Sequence, residues 1–492
     1  MSAYEDLIAF QRETEALSSI AGRLGWDQET VMPGGAAEQR GEEMGAIAKV
    51  LHSRRSDPRV GEWLAAADSA GLEDSQLANL RRIGRDYRRA TRVPADLAAE
   101  IARLTSIAQG IWAEARRNED FESFAPSLAR VVDLKRSEAA ALADGGNLYD
   151  SLLDEYEPSM TGAELETMFG ALRPRLANLR ERIFGAERRP GRLSGEFDET
   201  GQMTLARELA ETFGYDFRRG RIDKAVHPFS SGSGDDVRIT TRTSREDPFN
   251  CIYSTIHEVG HATYEQGIDS DYAMTPLGQG VPMGVHESQS RIYENQLGRS
   301  RAFAGHLFAR MRAIFGDFGI SDAEAFYGVV NRVDPGFIRT EADEVHYNLH
   351  VMMRFDLERA IIAGDLDVVD LPEAWNARFL DDFGVRVDRP SDGCLQDVHW
   401  SVGLFGYFPT YALGNVYAGC LERALREALP GLDRDLAGGD VAAAVGWLRK
   451  RLQRHGGLRE PRDAIAHACG FEPTEEPLLD YIETKFGDLY DL

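Results

Sequence analysis

The chain has 492 residues, 43% of them hydrophobic and 28% charged, enough apolar material for a large buried core. Its formal net charge of −25 argues against nucleic acid or anionic membrane as a partner, since phosphate binding needs clustered Lys and Arg. No Gly/Ser-rich or Pro-rich linker and no internal repeat divides it, so residues 1–492 read as one unit built of subregions. The opening Met1 to Asp6 lacks the basic start and apolar core of a signal peptide, and Cys251, Cys394, Cys420 and Cys469 form no C-x-x-C pair. The expectation is a cytoplasmic protein with reduced thiols.

Residues 2–56 carry helical periodicity broken once, at Met32-Pro33-Gly34-Gly35, with Trp26 just before the break as a core anchor. From Asp74 to Asp144 the pattern predicts long amphipathic helices whose basic pairs, such as Arg81-Arg82, face water. Gly145-Gly146 closes that block, and further helices are predicted at about 162–184 and 203–213. Between 217 and 242 the period changes to two. Arg221–Val226 and Asp236–Thr241 alternate as strands around the turn-forming Pro228–Gly234, which predicts a hairpin.

Residues 274–282 read as loop, and a helix opens at Gly284 and runs to about Leu297. Helical patterns continue to the end, interrupted at Asp334-Pro335-Gly336, at Pro390–Gly393 and near Gly456-Gly457. Ser401–Leu421 holds no charged side chain and has the length of a bilayer span. Its glycines, Pro409, Asn415 and tyrosines are too polar and too broken for lipid, so it reads as buried helix and turn. The predicted fold class is mostly α with one small sheet.

The chemistry centres on His257-Glu258-Val259-Gly260-His261, in a stretch free of proline. On a helix, residues four apart share one face, so His257 and His261 aim two imidazoles at one point. Glu258 lies about 100° round the helix, beside that point. This is the H-E-x-x-H arrangement: two zinc ligands and a carboxylate that accepts a proton from activated water. A strand just before such a helix either holds an extended substrate by backbone hydrogen bonding or serves as a packing ribbon.

Catalytic zinc takes three protein ligands. Gly267 stands where a third histidine would follow, which leaves Glu265, Glu287 and Glu294 as candidates. Glu265 would have to reach back along its own helix. Glu287 and Glu294 lie two turns apart, so only one of them can sit level with the metal, and spacing does not choose between them.

The zinc pentapeptide followed by His286-Glu287-Ser288-Gln289 resembles the M32 metallocarboxypeptidases, the thermostable carboxypeptidase family first known from Thermus. The family's other motifs are present in order. Asp236–Thr240 matches D-x-R-x-T, Ile338–Asp343 matches I-R-x-x-A-D, and Gly393–Trp400 matches G-x-x-Q-D-x-H-W. The Trp26-Asp27-Gln28 region and Gly406–Tyr411 are also similar to the family, and no motif residue departs from its pattern.

The resemblance implies a large helical zincin with a long substrate groove, and a homodimer. It implies one zinc per chain on His257, His261 and Glu287, with cobalt or another divalent metal able to substitute. It also implies release of single C-terminal residues, with broad preference, from peptides with a free C-terminus. Residues about 1–150 would form a groove wall and about 215–425 the zinc-binding subregion. Glu258 is then the general base. His399 and Tyr407 are the candidate donors to the oxyanion. Arg339, Arg238 and Tyr411 are the candidate substrate contacts, because a guanidinium suits a free carboxylate. Trp400 is assigned to packing. Asp343 and Asp397 are read either as carboxylates orienting imidazoles or as a helix cap or Arg339 partner. Two rivals stand: an endo-acting helical zinc oligopeptidase, and a silent binding protein that keeps the groove, against which intact Glu258 argues.

Overall fold

The computed structural model describes residues 2–67 and 71–492. The break at residues 32–35 separates helix Ala3–Thr30 from helix Ala37–Arg55, as the sequence pattern requires. Ser2 and Glu5 cap the first helix reciprocally. The first helix, with helices Pro58–Ala66 and Asp74–Arg92, forms a small cluster of its own around Leu7, Val60 and Ile83. A second, much larger core runs from Leu104 to Tyr490 and draws on every later part of the chain.

Among the described residues the architecture is mostly α with one sheet of three strands: β1 (Ile222–Lys224), β2 (Ser230–Ser233) and β3 (Asp236–Thr241). The sheet corrects the predicted hairpin. β3 is the central strand, and its antiparallel partner is β2, inside the segment expected to be loop; β1 pairs with β3 in parallel. Ser230-Ser231-Gly232-Ser233 has the composition of a loop, yet an edge strand needs only an extended backbone and a partner ladder.

Helix Phe249–Gly267 follows the sheet, and helix Met283–Arg291 passes directly into a π-helix over Ile292–Gly298. Gly260 makes their approach possible, since a Cβ there would meet the Gln289 carbonyl oxygen at 2.5 Å. Helix Pro409–Ala428 closes on the other side, where a Cβ at Gly414 would meet Glu287 Cγ at 2.4 Å. The charge-free stretch is thus a turn and a buried helix against the site. Among the described residues no helix is long and apolar enough to cross a membrane.

Two buried carboxylates tie the helical N-terminal half to this region. Glu157 accepts from the Gly284 N–H at 3.1 Å and the Tyr417 hydroxyl at 3.3 Å, satisfying an orphan donor at the start of helix Met283–Arg291. Glu358 accepts from Tyr149, from the Trp400 indole N–H at 2.8 Å and from the Gly406 N–H at 3.1 Å.

Candidate active site and metal centre

His257 and His261 present their Nε2 atoms to one carboxylate, Glu287, at 3.7 and 3.4 Å from its Oε2. One ligand atom from each of the three residues lies within 4.8 Å of the others. Ligands about 2.0–2.1 Å from a tetrahedral zinc sit roughly 3.3 Å from one another, so the donor set fits that ion.

The other imidazole nitrogens fix which lone pair faces the metal. His257 Nδ1–H donates to Glu294 Oε2 at 3.0 Å, so that in the neutral ring Nε2 carries the free lone pair. On the second histidine the relay is longer. His286 Nε2–H donates to Glu265 Oε1 at 2.8 Å, so His286 Nδ1 accepts from His261 Nδ1–H at 2.7 Å, which again frees Nε2. All three candidate carboxylates therefore bear on this donor set, but only Glu287 faces both Nε2 atoms.

Arg291, one turn past Glu287, donates from Nε to Glu287 Oε1 at 2.7 Å. Burial alone would raise the Glu287 carboxyl; Arg291, His257 and His261 outweigh it and hold the group well below the usual carboxylate range. Burial pushes His261 down to about 4, so it is neutral and free to ligate near pH 7. Burial also pushes Glu258 up to about 7, opposed by His257 and assisted by Glu287 and Glu294. A bound cation would pull that carboxyl back down.

Beyond Arg291 lies a second charged cluster. The Arg291 guanidinium stacks 4.2 Å above the Tyr347 ring, and Tyr347 Oη accepts from Arg339 Nη1 at 3.2 Å. Arg339 is only 5% exposed and Arg354 is fully buried, yet both donate to the single carboxylate of Asp397, at 2.9 and 2.7 Å. Tyr411 packs 4.9 Å from Arg339 and its hydroxyl donates to His399 Nε2 at 3.3 Å; burial pushes His399 down to about 4, so that imidazole is a neutral acceptor. Tyr407 lies edge-on to Tyr411 and tilted against His399, and burial pushes its hydroxyl up to about 12, which keeps it a donor.

Residues 6–486 match the family model described as carboxypeptidase Taq (M32) metallopeptidase. The chain belongs to the M32 family. The thermostable carboxypeptidase 1 of Thermus thermophilus is 42% identical over 99% of each chain. The solved M32 carboxypeptidase of Deinococcus radiodurans R1 has a TM-score of 0.96 at 39% identity and full coverage of both chains. Trypanosoma cruzi metallocarboxypeptidase 1 has a TM-score of 0.95 at 31% identity, covering 98% of this chain and 99% of that one. The protein is accordingly a peptide hydrolase of the metallocarboxypeptidase type.

Within this M32 carboxypeptidase the structure gathers His257, His261, Glu287 and Glu258 at one point, and Arg339, His399, Tyr407 and Tyr411 into the adjoining cluster. Arg238 lies on the central strand β3, bonded to Asp236 at 2.7 Å and stacked on Trp26. Neither aspartate orients a metal-facing imidazole. Asp343 caps helix Glu344–Ala363 and holds His346, whereas Asp397 pairs with Arg339 and Arg354. Glu294 stood in the sequence only as a rival third ligand, and His286, Arg291, Tyr347 and Arg354 carried no assigned role. The i, i+4 spacing of Glu287 and Arg291 was the one local signal available; the others are joined only through the fold.

Proposed function

We propose that this M32 carboxypeptidase is a zinc enzyme that releases single C-terminal residues from peptides with a free α-carboxylate. The observation that carries the reading is the pairing of two sites. A His/His/Glu donor set stands beside a buried carboxylate, Glu258, and next to it two buried arginines share one aspartate, leaving a surplus positive charge. When bound, the metal lowers the pKa of water and polarises the scissile carbonyl. Glu258 accepts the proton of the attacking water and returns it to the leaving amine, a role worth roughly 10²–10⁴-fold in rate. Tyr407 and His399 border the position where charge develops, and Tyr407 still carries a proton to donate. Arg339 faces the substrate carboxylate, with Tyr411 packed against its guanidinium. Arg354 neutralises Asp397 so that the Arg339 charge is not fully spent there.

The His/His/carboxylate set suits zinc and also accepts cobalt or a similar divalent ion. The helices of residues 1–150 form a wall of the groove. Cytoplasmic residence and a homodimer complete the proposal; the four free thiols support the first, and the family likeness supports the second. Mass spectrometry of a defined peptide over time, with and without chelator, tests the activity. A ladder losing one residue at a time from the C-terminus, abolished by chelator, is expected. Internal fragments would establish the endo-acting alternative. Light scattering at twice the chain mass is expected for the dimer, and the chain mass alone would remove it.

A further inference from the structure

Glu358 is fully buried, and its two carboxylate oxygens meet three uncharged donors. Oε1 accepts from the Trp400 indole N–H at 2.8 Å, and Oε2 accepts from the Tyr149 hydroxyl at 2.9 Å and the Gly406 N–H at 3.1 Å. A carboxylate is costly to bury, so packing alone does not account for one here. Two of its bonds share a place in the chain. Trp400 directly follows His399 and Gly406 directly precedes Tyr407. One carboxylate is thus bonded to the immediate neighbour of each residue that borders the developing charge. Helix Glu344–Ala363, which carries Glu358, holds the same turn a second time. Arg354, one helical turn before Glu358, donates to Asp397 at 2.7 Å, two residues ahead of His399. The opposite side of the turn meets the N-terminal wall through helix Leu148–Tyr156, which also supplies Tyr149. Gly406 adopts a φ of +82°, and a Cβ there would meet the Leu153 backbone nitrogen at 2.7 Å. Tyr156 packs edge-on against the Tyr407 ring at 5.0 Å.

We propose that Glu358 is a positioning residue for catalysis, setting the 399–407 turn so that His399 and Tyr407 stand where the oxyanion develops. The inference rests on the carboxypeptidase reading above and adds to it a group that acts only through those two side chains. Misplacing a catalytic group by about 1 Å can cost roughly 10²-fold in rate. Glu358→Gln produces such a displacement. The amide keeps the volume of the carboxylate but replaces one acceptor oxygen by an NH2 group. Either Trp400 or the pair of Tyr149 and Gly406 then faces a donor instead of an acceptor, and the turn must shift.

The test measures kcat, KM and metal content on one free-acid peptide. The proteins are wild type, Glu358→Gln, Tyr407→Phe, His399→Gln, and Glu358→Gln combined with each of the other two. Glu358→Gln should lower kcat about 10–100-fold, since alignment of the oxyanion donors is felt in the transition state. Its KM and metal content should stay within about twofold of wild type. Because the residue acts through the two donors, adding Glu358→Gln should cost at least about threefold less in one of the two variant backgrounds than in wild type. An unchanged kcat, or the same factor lost again in both backgrounds, would overturn the role. A fall in kcat that tracks loss of metal would also overturn it and assign Glu358 to holding the donor set. If Glu358→Gln does not fold, Trp400→Phe removes one of the three donors, keeps a ring and goes through the same cycle with the same outcomes. A wild type that releases no C-terminal residue from any peptide would sink the parent reading, a result distinct from a Glu358 variant with unchanged kcat.

Discussion

Glu294 accepts a hydrogen bond from His257 Nδ1 at 3.0 Å while Glu287 faces the Nε2 of the same ring, so one imidazole is held between two carboxylates seven residues apart. The π-helix over Ile292–Gly298 carries Glu294 into this position, and Arg299 holds its other oxygen at 3.2 Å. The two substitutions separate the roles. Glu287→Ala should abolish stoichiometric metal binding. Glu294→Ala should keep the metal with affinity lowered about 10–100-fold. Elemental analysis after dialysis against a graded chelator reads both, and equal losses would show that the two carboxylates are not divided in this way.

Glu258 makes no hydrogen bond to the ligand set, so its removal leaves the metal in place. Glu258→Gln preserves size and polarity but cannot accept a proton, and kcat should drop by roughly 10²-fold or more at unchanged metal content. A metal-replete variant with near-wild-type turnover would remove Glu258 from the mechanism.

The zinc helix was legible because its signal is local: spacing on one helix places His257, Glu258 and His261 without knowledge of the fold. The choice among Glu265, Glu287 and Glu294 was not, because Glu287 faces both ligand imidazoles, Glu294 backs His257, and Glu265 reaches His261 only through His286. The family resemblance, rather than spacing, pointed to Glu287. The hairpin was misread for a related reason. Strand pairing is a non-local choice, and the serines of β2 carry no apolar alternation to announce it. Arg339 shows the same limit. Asp343 and Asp397 both stood as possible partners in the sequence, and the fold chooses Asp397, brought in from a distant loop.

Burial pushes Glu157 up to about 7, against an ordinary 4.5, with Gly284 and Tyr417 only partly compensating. A carboxyl whose folded value is raised holds its proton more tightly in the native state, so stability declines as pH climbs from about 4.5 through 7. The loss is on the order of 3 kcal/mol for a shift of this size. Glu157→Gln keeps a polar group for both partners and cannot ionise. Its melting temperature relative to wild type should therefore rise between pH 5 and pH 8. A pH-independent difference would show that Glu157 is not the titrating group.

The strongest test of exopeptidase action is at Arg339. The null role is structural: the guanidinium holds Asp397 and Tyr347 in place and touches no substrate. Arg354 donates to the same aspartate from a fully buried position, so Asp397 keeps a cationic partner when Arg339 is removed. That makes the substitution interpretable. A charge-assisted pair to a substrate carboxylate in a desolvated groove implies roughly 2–5 kcal/mol, hence at least about 30-fold in kcat/KM for Arg339→Ala. Arg339→Lys should recover part of it, since a point charge cannot reproduce the paired geometry. A purely structural role would lower activity on all peptides alike, so the informative quantity is the ratio of free acid to C-terminal amide. Wild type should strongly prefer the acid, Arg339→Ala should lose most of that preference, and Arg339→Lys should fall between. Equal cleavage of acid and amide by wild type would indicate an endopeptidase. A preference retained in full by Arg339→Ala would transfer carboxylate recognition to another cation, with Arg238 next to be substituted.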